Sequence, residues 1–178
     1  MRLFIIMLIL PFSSFAQKGN KQLVDSLKYV TYMPYIGEAP DGNGDRIFWK
    51  VVQQKRAIIP TLIGLLTDTT SAPAHVPNFG GRYTVADIAY DAIGEIIHGI
   101  PTFGLLGVKF DDDGCGYCAY WNHVRSDIKN RKHFQAKVKA WYKVNKKNLV
   151  WISSDEYNGC DCAGPHPNGG HFTLKKGN

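Results

Sequence analysis

A mainly α fold is what this sequence predicts: a small helical-hairpin domain followed by an irregular, cysteine-bearing C-terminal segment. Three observations lead there. Two apolar helical patterns, Ala57 to Leu66 and Val85 to Ile97, flank a loop containing Pro73, Pro77, Gly80 and Gly81. Hydrophobic residues make up 44% of the chain and charged ones 20%, the balance of a globular protein, and 178 residues suffice for one core. The tail, residues 158–178, is rich in glycine and proline (NGCDCAGPHPNGGHF), so a cross-link is expected to be what gives it a fixed conformation.

The chain opens with Met1 to Ala16 (MRLFIIMLILPFSSFA), which has an early cation at Arg2, an apolar run from Leu3 to Leu10, and small residues Ser13, Ser14 and Ala16. That is the pattern of a secretory signal peptide over residues 1–16. The apolar run is far shorter than the ~18 to 20 residues a spanning helix requires. The expected mature protein, residues 17–178, is one helical domain, exported to a periplasmic or extracellular space and without a transmembrane segment. Its leader removes Arg2 and no acid, so the formal charge falls from +6 to +5.

The elements follow from local signals. Leu23, Val24, Leu27 and Val30 form one apolar stripe of a helix that Pro34 stops. Residues 35–44 read as loop; Asp41 to Asp45 superficially matches a calcium loop but lacks its ligand spacing and terminal glutamate, so it reads as a turn. Asp45 is placed to N-cap a short helix with Ile47, Phe48, Val51 and Val52 on one face and Trp49 off it, and Lys55 and Arg56 bring cations to its C-terminal end. Pro60 fits the first turn of the next helix, where its missing N–H costs nothing. Thr84 and Asp87 form a capping box ahead of Val85, Ile88, Ala89, Ala92, Ile93, Ile96 and Ile97, and Gly99 and Pro101 close that helix. Beyond it, Thr102 to Asp113 is loop or short strand. From Asn130 a helix places Phe134, Val138, Trp141 and Tyr142 on one face, and Leu149 to Ile152 is a short strand or that helix's docking end.

The pattern Ile59-Pro60-x-Leu62-x-x-Leu65-Leu66-x-Asp68, followed by Val85-x-x-x-Ala89-x-x-Ala92-Ile93-x-x-Ile96, resembles one HEAT-type helical repeat over roughly Ala57 to Ile97. The resemblance implies a first helix with its proline, a turn aspartate, and a second helix with small residues at the crossing. Ala86 stands where such repeats commonly have arginine, and the connection 69–83 is longer than their tight turn. A single repeat cannot bury its own apolar face, so the helices at Leu23 and Ile47 are the expected neighbours.

Chemistry-bearing residues form three groups. The first is Cys115-x-x-Cys118 with Cys160-x-Cys162, an even number of cysteines in a chain expected to leave the cytoplasm, which predicts disulfides. A Cys160–Cys162 bridge would close a strained ring, so pairing between the clusters is favoured, each bridge contributing ~3 to 4 kcal/mol. The alternative is a structural zinc ion on Cys115, Cys118, Cys160 and Cys162, with His166 or His171 able to replace one thiolate. A thioredoxin-like redox role for Cys115 and Cys118 calls for a strand-then-helix setting that the glycine-rich lead-in does not supply. No other cofactor is implied.

The second group is Asp87, Asp91, Glu95 and His98 on the helix from Val85. Glu95-x-x-His98 resembles the ligands of di-iron bundles, but at ~100° per residue the row falls opposite the isoleucine face, and no second Glu-x-x-His occurs. It reads as a solvated polar face, available to a ligand or partner. The third group is Lys129, Arg131, Lys132, Lys137, Lys139, Lys143, Lys146 and Lys147, with no acid between them. It reads as a solvated basic face over a buried aromatic stripe, suited to an anionic envelope component or an acidic protein and, in an exported chain, not to nucleic acid.

No G-x-S-x-G, Walker loop, Rossmann fingerprint or H-E-x-x-H occurs. The function expected is an exported protein-binding or inhibitory, immunity-like module of the cell envelope. The alternatives are an envelope-polymer hydrolase, with Asp87, Asp91, Glu95, His98 or Cys115 as catalytic candidates, and a purely structural module. A smooth helical face favours the binder; a concave groove holding acids and a histidine favours the hydrolase.

Overall fold

The computed structural model describes residues 13–34, 44–77, 80–107, 120–153 and 167–175. Helix α1 (Ser13–Asp25) spans the expected processing point at Ala16 and runs into a 3₁₀ turn, Ser26–Tyr29, that buries Leu27. Helix α2 (Arg46–Val52) starts where its cap predicts: one Asp45 carboxylate oxygen accepts from the Ile47 N–H at 2.8 Å, and the other from the Thr31 N–H at 2.9 Å. Trp49, expected off the apolar stripe, is only 7% exposed and meets Phe48 edge-on at 5.2 Å. The reason is tertiary, since α2 is enclosed by α1, the 3₁₀ turn and the later helix Val85–Ile96 together.

Lys55 and Arg56 serve a different partner from the one the helix dipole suggests. Their 3₁₀ turn, Lys55–Ala57, directs them at the far end of the chain. Arg56 donates to the Leu149 carbonyl at 2.7 Å and lies 4.6 Å over the Phe172 ring, and the Lys55 ammonium sits 4.0 Å over Trp151. Helix α3 (Ile59–Leu65) follows with Pro60 in its first turn. The connection read as loop is in fact a ribbon, β1 (Ser71–His75) antiparallel to β2 (Arg82–Thr84), with Ser71 opposite Thr84 and His75 opposite Arg82. Ala72 and Ala74 alternate inward, and the Ala74 N–H donates to the Val30 carbonyl at 3.1 Å.

Helix α4 (Val85–Ile96) is the centre of the core: Ile88, Ala89, Ala92, Ile93 and Ile96 are sealed against α2, α3 and the 3₁₀ turn. After it come α5 (Thr102–Leu106), a π-helical turn (Tyr120–Val124) and α6 (Ile128–Asn145). Asp127 caps α6, accepting from the Lys129 N–H at 2.7 Å. The expected Phe134, Val138 and Tyr142 are buried, and so is Arg131, which the sequence placed on the solvated basic face.

The chain's last described elements, β3 (Leu149–Ser153) and β4 (Gly170–Leu174), pair antiparallel in unbroken register from Leu149↔Leu174 to Ser153↔Gly170. Among the described residues the fold is helix-rich, as the sequence predicts, with two small two-stranded sheets that make it mixed rather than purely helical. Strand and ring contacts hold the described end of the tail: Ile97 bridges Phe172, the His98 N–H donates to the Phe172 carbonyl at 2.9 Å, and Phe172 packs edge-on against Trp151 at 4.9 Å. Gly170 is required there, because at φ 142° a Cβ would stand 2.1 Å from the Ile152 oxygen. Cys115, Cys118, Cys160, Cys162 and His166 lie outside the described residues, and with them the disulfide, zinc and redox readings. No helix among the described residues is long and apolar enough to cross a membrane.

Candidate functional site: the cleft along helix α4

The polar face of α4 is buried at its first turn and half-buried beyond it. At its first turn Asp87 is 1% exposed and fully engaged. Its Oδ2 accepts from the Thr84 N–H at 2.8 Å and the Thr84 hydroxyl at 2.7 Å, completing the capping box. Its Oδ1 accepts from Arg131 Nη1 at 3.0 Å and the Tyr120 hydroxyl at 3.4 Å, and Arg125 Nε stands 3.5 Å from Oδ2. Two guanidiniums and two hydroxyls thus converge on one carboxylate and pin α4 to the π-helical turn and to α6. With its four lone pairs committed, Asp87 acts as a clamp between α4 and the elements after it.

One turn on, the same face opens into a cleft of about 720 Å³. Asp91, Glu95 and His98 line it together with Tyr90, Gly94, Thr102 and the apolar Met33, Ile97 and Ile100. Three of the four proposed acid and histidine residues therefore meet in one concavity. Asp91 holds its proton well above the ordinary carboxylate range of about 3.8, first because it is desolvated, then because Asp87 and Glu95 carry like charge one turn away on either side. A proton-holding acid beside a second carboxylate is a donor and acceptor pair in one site.

Aromatic groups fix the wall behind these acids. Tyr90 stacks on Tyr120 with ring centroids 5.1 Å apart and meets Phe134 edge-on at 4.9 Å, while its hydroxyl is hydrogen-bonded to that of Thr102. Burial pushes the Tyr90 phenol up to about 12, against the lowering effect of that hydrogen bond, so it is a neutral hydroxyl across the physiological range. The Tyr120 phenol is raised too, by burial and then by Asp87 and Asp91. At the other end His98 lies face to face with His171 of β4, ring centroids 3.6 Å apart and planes 18° from parallel. That stacking seats the last strand against the cleft's edge.

Gly94 is the residue that sequence reasoning passed over. Within a helix, a glycine lowers stability by about 1 kcal/mol relative to alanine, and here a Cβ would meet nothing within 4 Å. Packing does not demand the glycine; the space above it is the cleft. Tyr90 and Thr102 were also missed, since nothing local marks a tyrosine whose partners are twelve or more residues away.

His171, named as a possible zinc ligand, is placed by its stacking on His98, and among the described residues no group of three or more His, Cys, Asp and Glu could hold a metal ion. No family model, curated protein or solved structure matches the chain. The site's own geometry is therefore the basis for its reading.

Proposed function

We propose that the protein is an exported binding module of the cell envelope, protein-binding or inhibitory in the immunity-like sense, whose α4 cleft receives a cationic segment of its partner. The observation that carries this is the meeting of Asp91, Glu95 and His98 in a concavity of about 720 Å³ on a chain of formal charge +6. A lysine or arginine head between the two carboxyls would gain charge-assisted hydrogen bonds and draw the proton off Asp91, while its stem packs on Met33 and Ile100. The concave groove with its acids and histidine is the geometry that favours the hydrolase over a binder offering a smooth helical face, so the binder proposed here is one into which a partner inserts, and the hydrolase is the reading it has to displace. The HEAT-like reading of residues 57–97 belongs with it as a reading of the α3–α4 pair, of which α4 lines the site.

Calorimetric titration with a pentalysine and a pentaglutamate peptide tests the proposal. Pentalysine is expected to bind and pentaglutamate not, with Glu95→Gln weakening pentalysine roughly tenfold or more through loss of a charge-assisted hydrogen bond. Equal binding by wild type, Glu95→Gln and Gly94→Leu would sink it. The raised Asp91 favours a second reading, an envelope-polymer hydrolase in which Asp91 is general acid and Glu95 general base. Release of soluble fragments from purified cell-wall polymer, lost in Asp91→Asn and Glu95→Gln, would select that reading over the first.

A further inference from the structure

The basic helix α6 carries a feature that its charge alone does not explain. Between α3 and α6 runs a mostly apolar groove of about 500 Å³, with Pro60, Ile63, Gly64 and Tyr142 along it and Lys139, Lys143 and Lys146 on its edge. It shares no lining residue with the α4 cleft. Lys132 continues the lysine row, and at ~100° per residue the four lysines fall within an arc of about 60° on one side of the helix. No acidic residue occurs anywhere from Ile128 to Ser153, and no salt bridge among the described residues involves a lysine of α6. The two helices are fastened by Gln135, whose amide donates to the carbonyls of Ile63 and Gly64 at 2.9 Å each. Gly64, like Gly94, has open space where a Cβ would stand, so its missing side chain deepens the groove.

We propose that this groove docks an anionic phospholipid, its phosphate among Lys139, Lys143 and Lys146 and the first part of its acyl chain over Ile63, Gly64 and Tyr142. Charge complementarity selects an anion. The apolar floor then selects an amphiphile over an acidic peptide, whose carboxylates would use the lysines and leave the exposed Pro60 facing water. Long lysine stems lie along apolar surface while their heads reach a phosphate, which suits the edge of such a groove. The inference does not depend on the reading of the α4 cleft.

Co-sedimentation of the full chain with two kinds of vesicle tests it: phosphatidylcholine alone, and phosphatidylcholine mixed with phosphatidylglycerol. The apolar N-terminal segment partitions into both, so the readout is the preference for the anionic vesicle. Three lysines at an anionic surface give an expected preference of roughly 100-fold at low salt, and Lys139→Glu/Lys143→Glu/Lys146→Glu should abolish it. Gly64→Leu fills the groove without altering charge and should reduce the preference fivefold or more; an unchanged far-ultraviolet circular dichroism spectrum and urea midpoint show that the variant is folded, and Gly64→Ala provides a milder filling. No preference in the wild type overturns the proposal. So does a preference that survives Gly64→Leu, which is surface attraction alone, or one fully competed by soluble decaglutamate, which would make the groove a peptide site.

Discussion

The α4 cleft and the α3–α6 groove are opened by the same device and differ in nearly everything else. Each lies over a glycine in the last turn of its helix, where an added Cβ would meet empty space. In the cleft, Tyr90 is held by three aromatic and hydroxyl partners, and Asp91 sits where desolvation and like charge raise its pKa above the ordinary carboxylate value. In the groove, the lysines end in water on flexible stems, free to follow any anion within reach. Net charge does not distinguish a selective site from a sticky one. What distinguishes them is whether the charged groups have been immobilised before the ligand arrives, because immobilised groups lose less freedom on binding and tolerate fewer ligand geometries.

Breaking the joint between the two regions has the largest expected effect. Arg131→Met leaves the Asp87 carboxylate buried with one of its two cations gone and should cost roughly 3 to 5 kcal/mol in urea unfolding, loosening cleft and groove together since α6 borders one and clamps the other. Asp87→Asn/Arg131→Met should recover much of that loss. Phe172→Ala removes the ring beneath Arg56 and beside Trp151, at about 3 kcal/mol, and should weaken pentalysine binding while leaving vesicle preference intact. Equal damage to both functions would dissolve the distinction.

The Asp91 proton gives a subtler contrast. A folded carboxyl with a raised pKa binds more protons than the unfolded chain, so stability falls as pH rises above the ordinary value of about 3.8. Asp91→Asn should therefore be more stable than wild type at neutral pH, with the advantage vanishing toward pH 3 in thermal melts. Smallest of all, Gly94→Leu and Gly64→Leu should each change stability by no more than about 1 kcal/mol, in the stabilising direction. Each should impair only its own hollow; crossed effects in the two binding assays would show that the hollows are coupled.

Much of the local framework was legible in the sequence because its causes are local. Asp45, Thr84 with Asp87, and Pro60 act within one turn of where they stand, and all three mark the helix starts they predict. The ribbon of residues 71–84 was hidden by Pro73 and Pro77, which read as loop punctuation although Pro73 lies between two inward alanines on a two-stranded ribbon that has edges to spare. Helical spacing set the acidic row opposite the isoleucines correctly, but whether that face meets water depends on Tyr120, Arg131 and β4, none of them near it in sequence. Arg131 looked like one more surface cation for the same reason: nothing within its own helix reveals a carboxylate forty-four residues upstream.

The parallel bridge between Ile97 and Phe172 bears on the order in which the molecule assembles. The β1–β2 ribbon, the α3–α4 pair and the β3–β4 pair close connections of comparable, modest length, whereas β4 meets Ile97 across most of the second half of the chain, and contacts between distant residues form late because chain entropy opposes them. The cleft's rim at His98 should thus be the last part to set. Stopped-flow refolding followed by Trp151 fluorescence should lag behind helix formation followed by circular dichroism, and the nascent protein would present its acidic face to chaperones or premature partners before the final strand arrives to shape it.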